Sequence, residues 1–221
     1  MERNIRVTGK GEISVKPDTI SLLIEAKGVY PEYEKTIEDS AKHTNILRKV
    51  LENSGLNGKE LKTQYFSIDT EYENYRDHND NYQRRFVGYA YHHNLGIQFP
   101  NDNKQLGRTL YALSHCPVAV EFTIRYTVKD VEAVKNELLK KAVEDSVKKA
   151  EILSQAAGVK LVDVQTIDYS RSEISIYSQP MNNLKAMALT TEEAFSESYD
   201  IDIEADDIEL NDTVTIEWGI Q

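Results

Sequence analysis

Cysteine occurs once in this chain of 221 residues, at Cys116, so an internal disulfide framework is excluded and the fold rests on its core alone. A chain of this length buries roughly 70% of its extended surface, enough to stand without a metal or a cross-link. No apolar run approaches the ~20 residues that a membrane-crossing helix needs. Nor is there an h-region at the start, where Met1-Glu2-Arg3-Asn4 leads straight into a strand pattern. The expectation is a soluble, cytoplasmic protein as written, or a periplasmic or cell-envelope one from which an export signal was removed. Lysine and arginine are missing altogether from residues 186–221, which hold eleven Asp and Glu, so the rest of the chain balances 26 basic against 26 acidic residues. The net charge of -11 therefore lies at the C-terminal end. With no basic stripe to meet phosphates, nucleic acid is not expected as a partner.

What is present is alternation. Ile5, Val7, Gly9, Gly11, Ile13 and Val15 point one way and the intervening polar residues the other, which predicts one long half-buried strand. Two glycines midway along its apolar face mark a close approach by another element. After Pro17-Asp18 a second strand runs from Thr19 to Lys27, so the chain is expected to open on an extended hairpin. Pro31 starts a helix with Tyr33, Ile37, Ala41, Thr44, Leu47 and Leu51 as its apolar stripe, ended by Gly55. Strands follow at 66–72 and 86–99, separated by a polar loop from Glu73 to Asn81. Asp102 caps a short helix that Pro117 ends, and residues 118–128 alternate again. Asp130 caps the longest helix, striped by Val131, Val134, Leu138, Ala142, Ala150, Leu153 and Ala157 and closed by Gly158. Strands near 161–169 and 173–178, a weakly patterned connector with Met181, Leu184, Met187 and Leu189, and a last strand with Val214, Ile216, Trp218 and Ile220 complete the chain.

The two long helices echo each other. Residues 38–47 and 144–153 agree at six of ten positions, and each stretch follows an alternating strand and precedes another. The fold class expected is α+β, with extended antiparallel strands, two long helices and duplicated strand-helix-strand-strand halves at 1–116 and 117–221 within one domain of 1–221.

Ligand-type side chains are sparse. His92 and His93 are adjacent on a strand and point to opposite faces, which makes them a poor joint metal site. His115 and Cys116 follow the short helix, where a thiolate with a histidine base is the reactive reading and inert packing the ordinary one. Asp200, Asp202, Glu204, Asp206 and Asp207 offer a weak divalent-cation site, but Ile201 and Ile203 alternate with the acids as in a strand with a polar outer face. The glycines of Gly9-Lys10-Gly11 are not a phosphate loop, because the strand continues through them. No catalytic, cofactor-binding or metal-binding residue is assigned, and no cofactor is expected. Tyrosine, by contrast, occurs thirteen times, and Tyr72, Tyr75, Tyr82, Tyr89 and Tyr91 cluster on the central hairpin. Such side chains combine apolar area with a polar tip, as subunit interfaces favour.

In order and spacing, Val7-Thr8-Gly9-Lys10-Gly11, Pro17-Asp18, residues 61–68 from Leu61 to Ile68, Gly88-Tyr89, the alanine-spaced helix through Ala142, Ala150 and Ala157-Gly158, and the terminal Val214-Thr215-Ile216-Glu217-Trp218 resemble the SIMPL-domain family. That group includes periplasmic immunogenic proteins and oxidative-stress-related bacterial proteins. The resemblance implies an α+β fold, no established enzyme activity, and in some relatives ring-like or channel-like homo-oligomers. This chain departs from it in lacking a signal and in having Ala205-Asp206-Asp207 where the family tends to turn with glycine. Long strands, the tyrosine cluster and the resemblance together give the expected function: a non-enzymatic, self-associating, stress-related protein whose partner is itself. The alternatives are a metal- or thiol-dependent enzyme using His92, His93, His115 and Cys116, or a small-ligand carrier with an apolar pocket.

Overall fold

The computed structural model describes residues 3–169, 174–178 and 205–221. The connector with Met181, Leu184, Met187 and Leu189, and Asp200, Asp202 and Glu204 of the acidic run, lie outside the described residues. The strands are β1 (Asn4–Val15), β2 (Thr19–Tyr30), β3 (Lys62–Arg76), β4 (Tyr82–Pro100), β5 (Val120–Thr127), β6 (Leu161–Asp168) and β7 (Ile208–Ile220), and the helices are α1 (Tyr33–Asn53), α2 (Asn103–Ser114) and α3 (Val131–Ala157). The fold is α+β, with two sheets of order β1-β7-β6 and β3-β4-β2-β5.

The expected opening hairpin does not form. β1 pairs antiparallel with β7, Gly9 opposite Val214, while β2 pairs with β4, Ala26 opposite His93. Pro17 supplies no N–H for a hairpin ladder, and Asp18 instead anchors the chain beyond β5 by donating from its N–H to the Thr127 carbonyl and accepting from Lys129 N–H.

The chain divides into two compact units. The first contains residues 1–18, 127–178 and 205–221, and the second contains residues 19–126. In the first, α3 lies across β1 and β7. Asp130 caps α3 by accepting from Ala133 N–H, and Gly158 closes it with a left-handed φ of 69°. The buried stripe is Leu138, Ala142, Ser146, Ala150 and Ser154; Leu153 and Ala157, expected inside, are exposed. Small residues dominate because β1 comes so near. A Cβ added at Gly9 would lie 2.1 Å from the Ala142 carbonyl oxygen, and one at Gly11 2.2 Å from that of Leu138. Ser146 uses the same proximity to donate from its hydroxyl to the Val7 carbonyl at 3.0 Å. Asp145 accepts from the backbone N–H of Lys10 at 2.7 Å, engaging an outward donor of an edge strand.

In the second unit α1 covers β2 and β4, burying Ile20, Leu22, Ile24, Leu47, Leu51, Leu95 and Ile97. The N-terminal half of α1 turns differently from its apolar pattern. Thr44 is buried as expected, but Thr36 and Ser40 are buried with it while Tyr33, Ile37 and Ala41 are exposed. Those hydroxyls bond to carbonyls of their own helix, at Glu32, Ile37 and Ser40, so they enter the interior without unsatisfied donors. The expected loop at Glu73–Asn81 is shorter than its composition implies, since β3 runs to Arg76 and β4 resumes at Tyr82. A strand at 173–178 is absent among the described residues, where 174–177 are irregular.

Candidate functional site

The site is built on the β3-β4 hairpin of the second unit. β2 ends at Tyr30, opposite Tyr89, so beyond Gly88 the strand β4 has, among the described residues, only β3 beside it. Residues 72–76 and 82–86 therefore form a two-stranded ribbon. A bulge marks its root, where Glu71 pairs with Gly88 but Tyr72 with Phe86. Gly88 has a φ of 156°, and a Cβ there would sit 2.3 Å from the Tyr30 carbonyl oxygen. The extra residue resets the alternation of β4, which brings Phe86 and Tyr89 to the same face although they are an odd number of residues apart.

That face carries a continuous aromatic run. Tyr33 meets Tyr89 edge to face at 5.4 Å, Tyr89 meets Phe86 at 5.4 Å, and Phe86 meets Tyr72 at 5.7 Å. The Arg84 guanidinium lies over the Tyr72 ring at 4.7 Å and that of Arg76 over Tyr82 at 4.6 Å. Tyr72, Arg84 and Tyr82 share this face through the register Tyr72–Phe86, Asn74–Arg84 and Arg76–Tyr82. Tyr75 belongs to the opposite face, with Arg85 over its ring and Glu73 bonded to Arg85. The tip is closed by Asp77, which accepts from the N–H groups of Asn81 and Asn79. Those bonds hold its carboxyl below the usual carboxylate range. Arg76 bonds both the Asp80 carboxylate and the Tyr82 hydroxyl.

Of the five tyrosines expected at an interface, Tyr72, Tyr75 and Tyr82 are exposed and Tyr89 is half-buried. Tyr91 has to be removed from the set. It is 0% exposed beneath α1, where its hydroxyl lies 2.6 Å from His43 Nδ1, and burial first, then Tyr30 and Asp39, push its pKa up to about 12. Its strand position points inward because the alternation regained after the bulge places it with His93 and Leu95.

The histidines separate as adjacent strand residues must. His93 is buried, with Nδ1 3.1 Å from Thr44 Oγ1, Nε2 2.8 Å from Thr63 Oγ1, and Phe66 packed edge-on at 5.0 Å. Thr44 spends its only hydroxyl proton on the Ser40 carbonyl, so it accepts from Nδ1–H. Nε2 is then left to accept from Thr63. Desolvation, then the charge of Arg48, lowers the His93 pKa. His92 lies on the outer face, 3.7 Å from Glu25. His115 folds back onto α2, bonding the Tyr111 carbonyl, and Cys116 beyond it is half-buried. Among the described residues no three His, Cys, Asp or Glu side chains gather as metal ligands. Sequence reasoning missed His43 and Thr63 and read Tyr33 and Thr44 only as stripe residues of a helix, because their contacts depend on which strand lies beneath α1.

No curated protein matches the chain. A family model does, over residues 5–218: SIMPL, described as a protein of unknown function (DUF541). That span takes in both glycines beneath α3, the ribbon and the closing strand, and the chain therefore belongs to the SIMPL family.

Proposed function

We propose that this is a non-enzymatic, self-associating protein, and that the aromatic face of the β3-β4 ribbon is where one copy meets the next. The observation that carries the reading is the run Tyr33–Tyr89–Phe86–Tyr72 on a ribbon that has no third strand among the described residues. A lone two-stranded ribbon is marginal in water, and covering its apolar face supplies the burial it lacks. Tyrosine and arginine are also the residues on which interface energy concentrates. Among the described residues β3 is also the edge strand of its sheet, the usual template for another chain. If the ribbon docks on a different surface of the neighbouring copy, the contact is heterologous and closes into a ring or runs on as a filament.

The test is a pair of substitutions on this face, Tyr72→Ser with Phe86→Ser, measured by sedimentation velocity beside circular dichroism. The expected result is a shift to the monomer with the folded spectrum retained. An assembly unaffected by both changes overturns the assignment of this face.

A further inference from the structure

α1 carries an apolar row that does not face its own sheet. The helix buries Thr36 and Ser40, which turns Tyr33, Ile37 and Ala41 outward, with Tyr33 at 50% and Ile37 at 45% exposure. Spaced four apart, these three are neighbours on the helix surface. The row begins at Tyr33, the ring that meets Tyr89, so it continues the aromatic face of the ribbon onto α1. Along this patch the order is Ile37, Tyr33, Tyr89, Phe86, Tyr72 and then Arg84.

The two ends of the patch carry opposite charge. Arg84 lies over Tyr72 at the ribbon end, and exposed Glu34, one turn before Ile37, flanks the helix end. Among the described residues neither of them forms a salt bridge, although their neighbours do: Arg85 with Glu73, Arg76 with Asp80, and Glu38 with Lys42. A surface that is positive at one end, negative at the other and apolar between becomes complementary to itself after a half-turn.

We propose that a second copy docks on this patch reciprocally, about a twofold axis beside the Phe86–Tyr89 contact. The inference rests on the assignment of the ribbon face to self-association and adds the surface it meets: each copy's Arg84 faces the partner subunit's Glu34, and Tyr72 packs on the row of Tyr33 and Ile37. Such a contact closes on itself, so the unit of assembly is a dimer. Charge reversals in the full-length chain test it, with association followed by sedimentation equilibrium. Circular dichroism follows folding, since Glu34 also sits in the first turn of α1, where a carboxylate suits the helix dipole. Arg84→Glu alone and Glu34→Arg alone should each weaken association about tenfold or more, because like charges then meet at both ends. An equimolar mixture of the two variants should recover the parent's association, as should the double variant. Folded single variants that associate as the parent does, a mixture no stronger than either variant alone, or an assembly of an odd number of copies overturns the proposal. If Tyr72→Ser with Phe86→Ser abolishes association while the charge reversals leave it unchanged, the ribbon face stands and only the reciprocal contact falls. A parent chain that stays monomeric overturns both.

Discussion

Gly9 and Gly11 show how a missing side chain is a packing requirement. Valine has the better strand propensity, yet its Cβ would fall on backbone atoms of α3 at 2.1 and 2.2 Å, and a helix backbone yields only by moving as a whole. Gly9→Val and Gly11→Val should each lower stability by at least about 1–3 kcal/mol, read as an earlier midpoint in urea denaturation. His93 makes a different demand. Its neutral ring is satisfied on both nitrogens by Thr44 and Thr63, and its folded pKa lies below the ordinary histidine value of 6.5. The unfolded chain therefore binds a proton first as the pH falls, so this contribution is complete above about pH 6.5 and is lost progressively below it. Denaturation midpoints taken from pH 8 to pH 5 should decline on the acid side. The decline should be shallower in His93→Gln; an equal decline would remove His93 as its cause.

The ribbon and the two long helices differ in how far their patterns could be read. β1 and β7 alternate cleanly because one face meets α3 and the other meets water, and their registers follow from that. α1 was legible as a helix but not in its facing. Apolar periodicity points to Tyr33 and Ile37, whereas the structure buries Thr36 and Ser40, whose hydroxyls are silenced by local bonds that no spacing reveals. The same blind spot hid Ser146 and Ser154 in α3. The ribbon was obscured by composition, since the Asn, Asp and Glu between residues 73 and 81 read as one loop although Glu73 and Asn74 lie on β3 and only residues 77–81 turn. Its root depends on Gly88. Gly88→Ala places a methyl against the Tyr30 carbonyl and should cost about 1–3 kcal/mol. It should also disturb the Phe86–Tyr89 contact, visible as altered aromatic NMR shifts. A variant as stable as the parent would mean that the bulge relaxes freely.

The echo between the helices has a counterpart in topology, though not in sequential halves. The order β2-β4-β3 with α1 ahead of β3 is repeated as β1-β7-β6 with α3 ahead of β6. The strand that precedes α3, β5, joins β2 in the other sheet, and the N-terminal β1 takes the place beside β7. A boundary at residue 116 could not show this, because sequence order says which strands exist and not which of two similar sheets each one enters. The echoed serines, Ser40 and Ser146, are buried in both copies, which is the part of the repeat that packing has kept. Among the described residues no three metal-ligand side chains gather, while the second unit extends an aromatic ribbon beyond the end of β2. Self-association is thus the central claim, and the molar mass in solution tests it most directly. Multi-angle light scattering of the purified chain at tens of micromolar and physiological salt should give a multiple of 25.2 kDa that falls on dilution, and a single 25.2 kDa species across that range would contradict it.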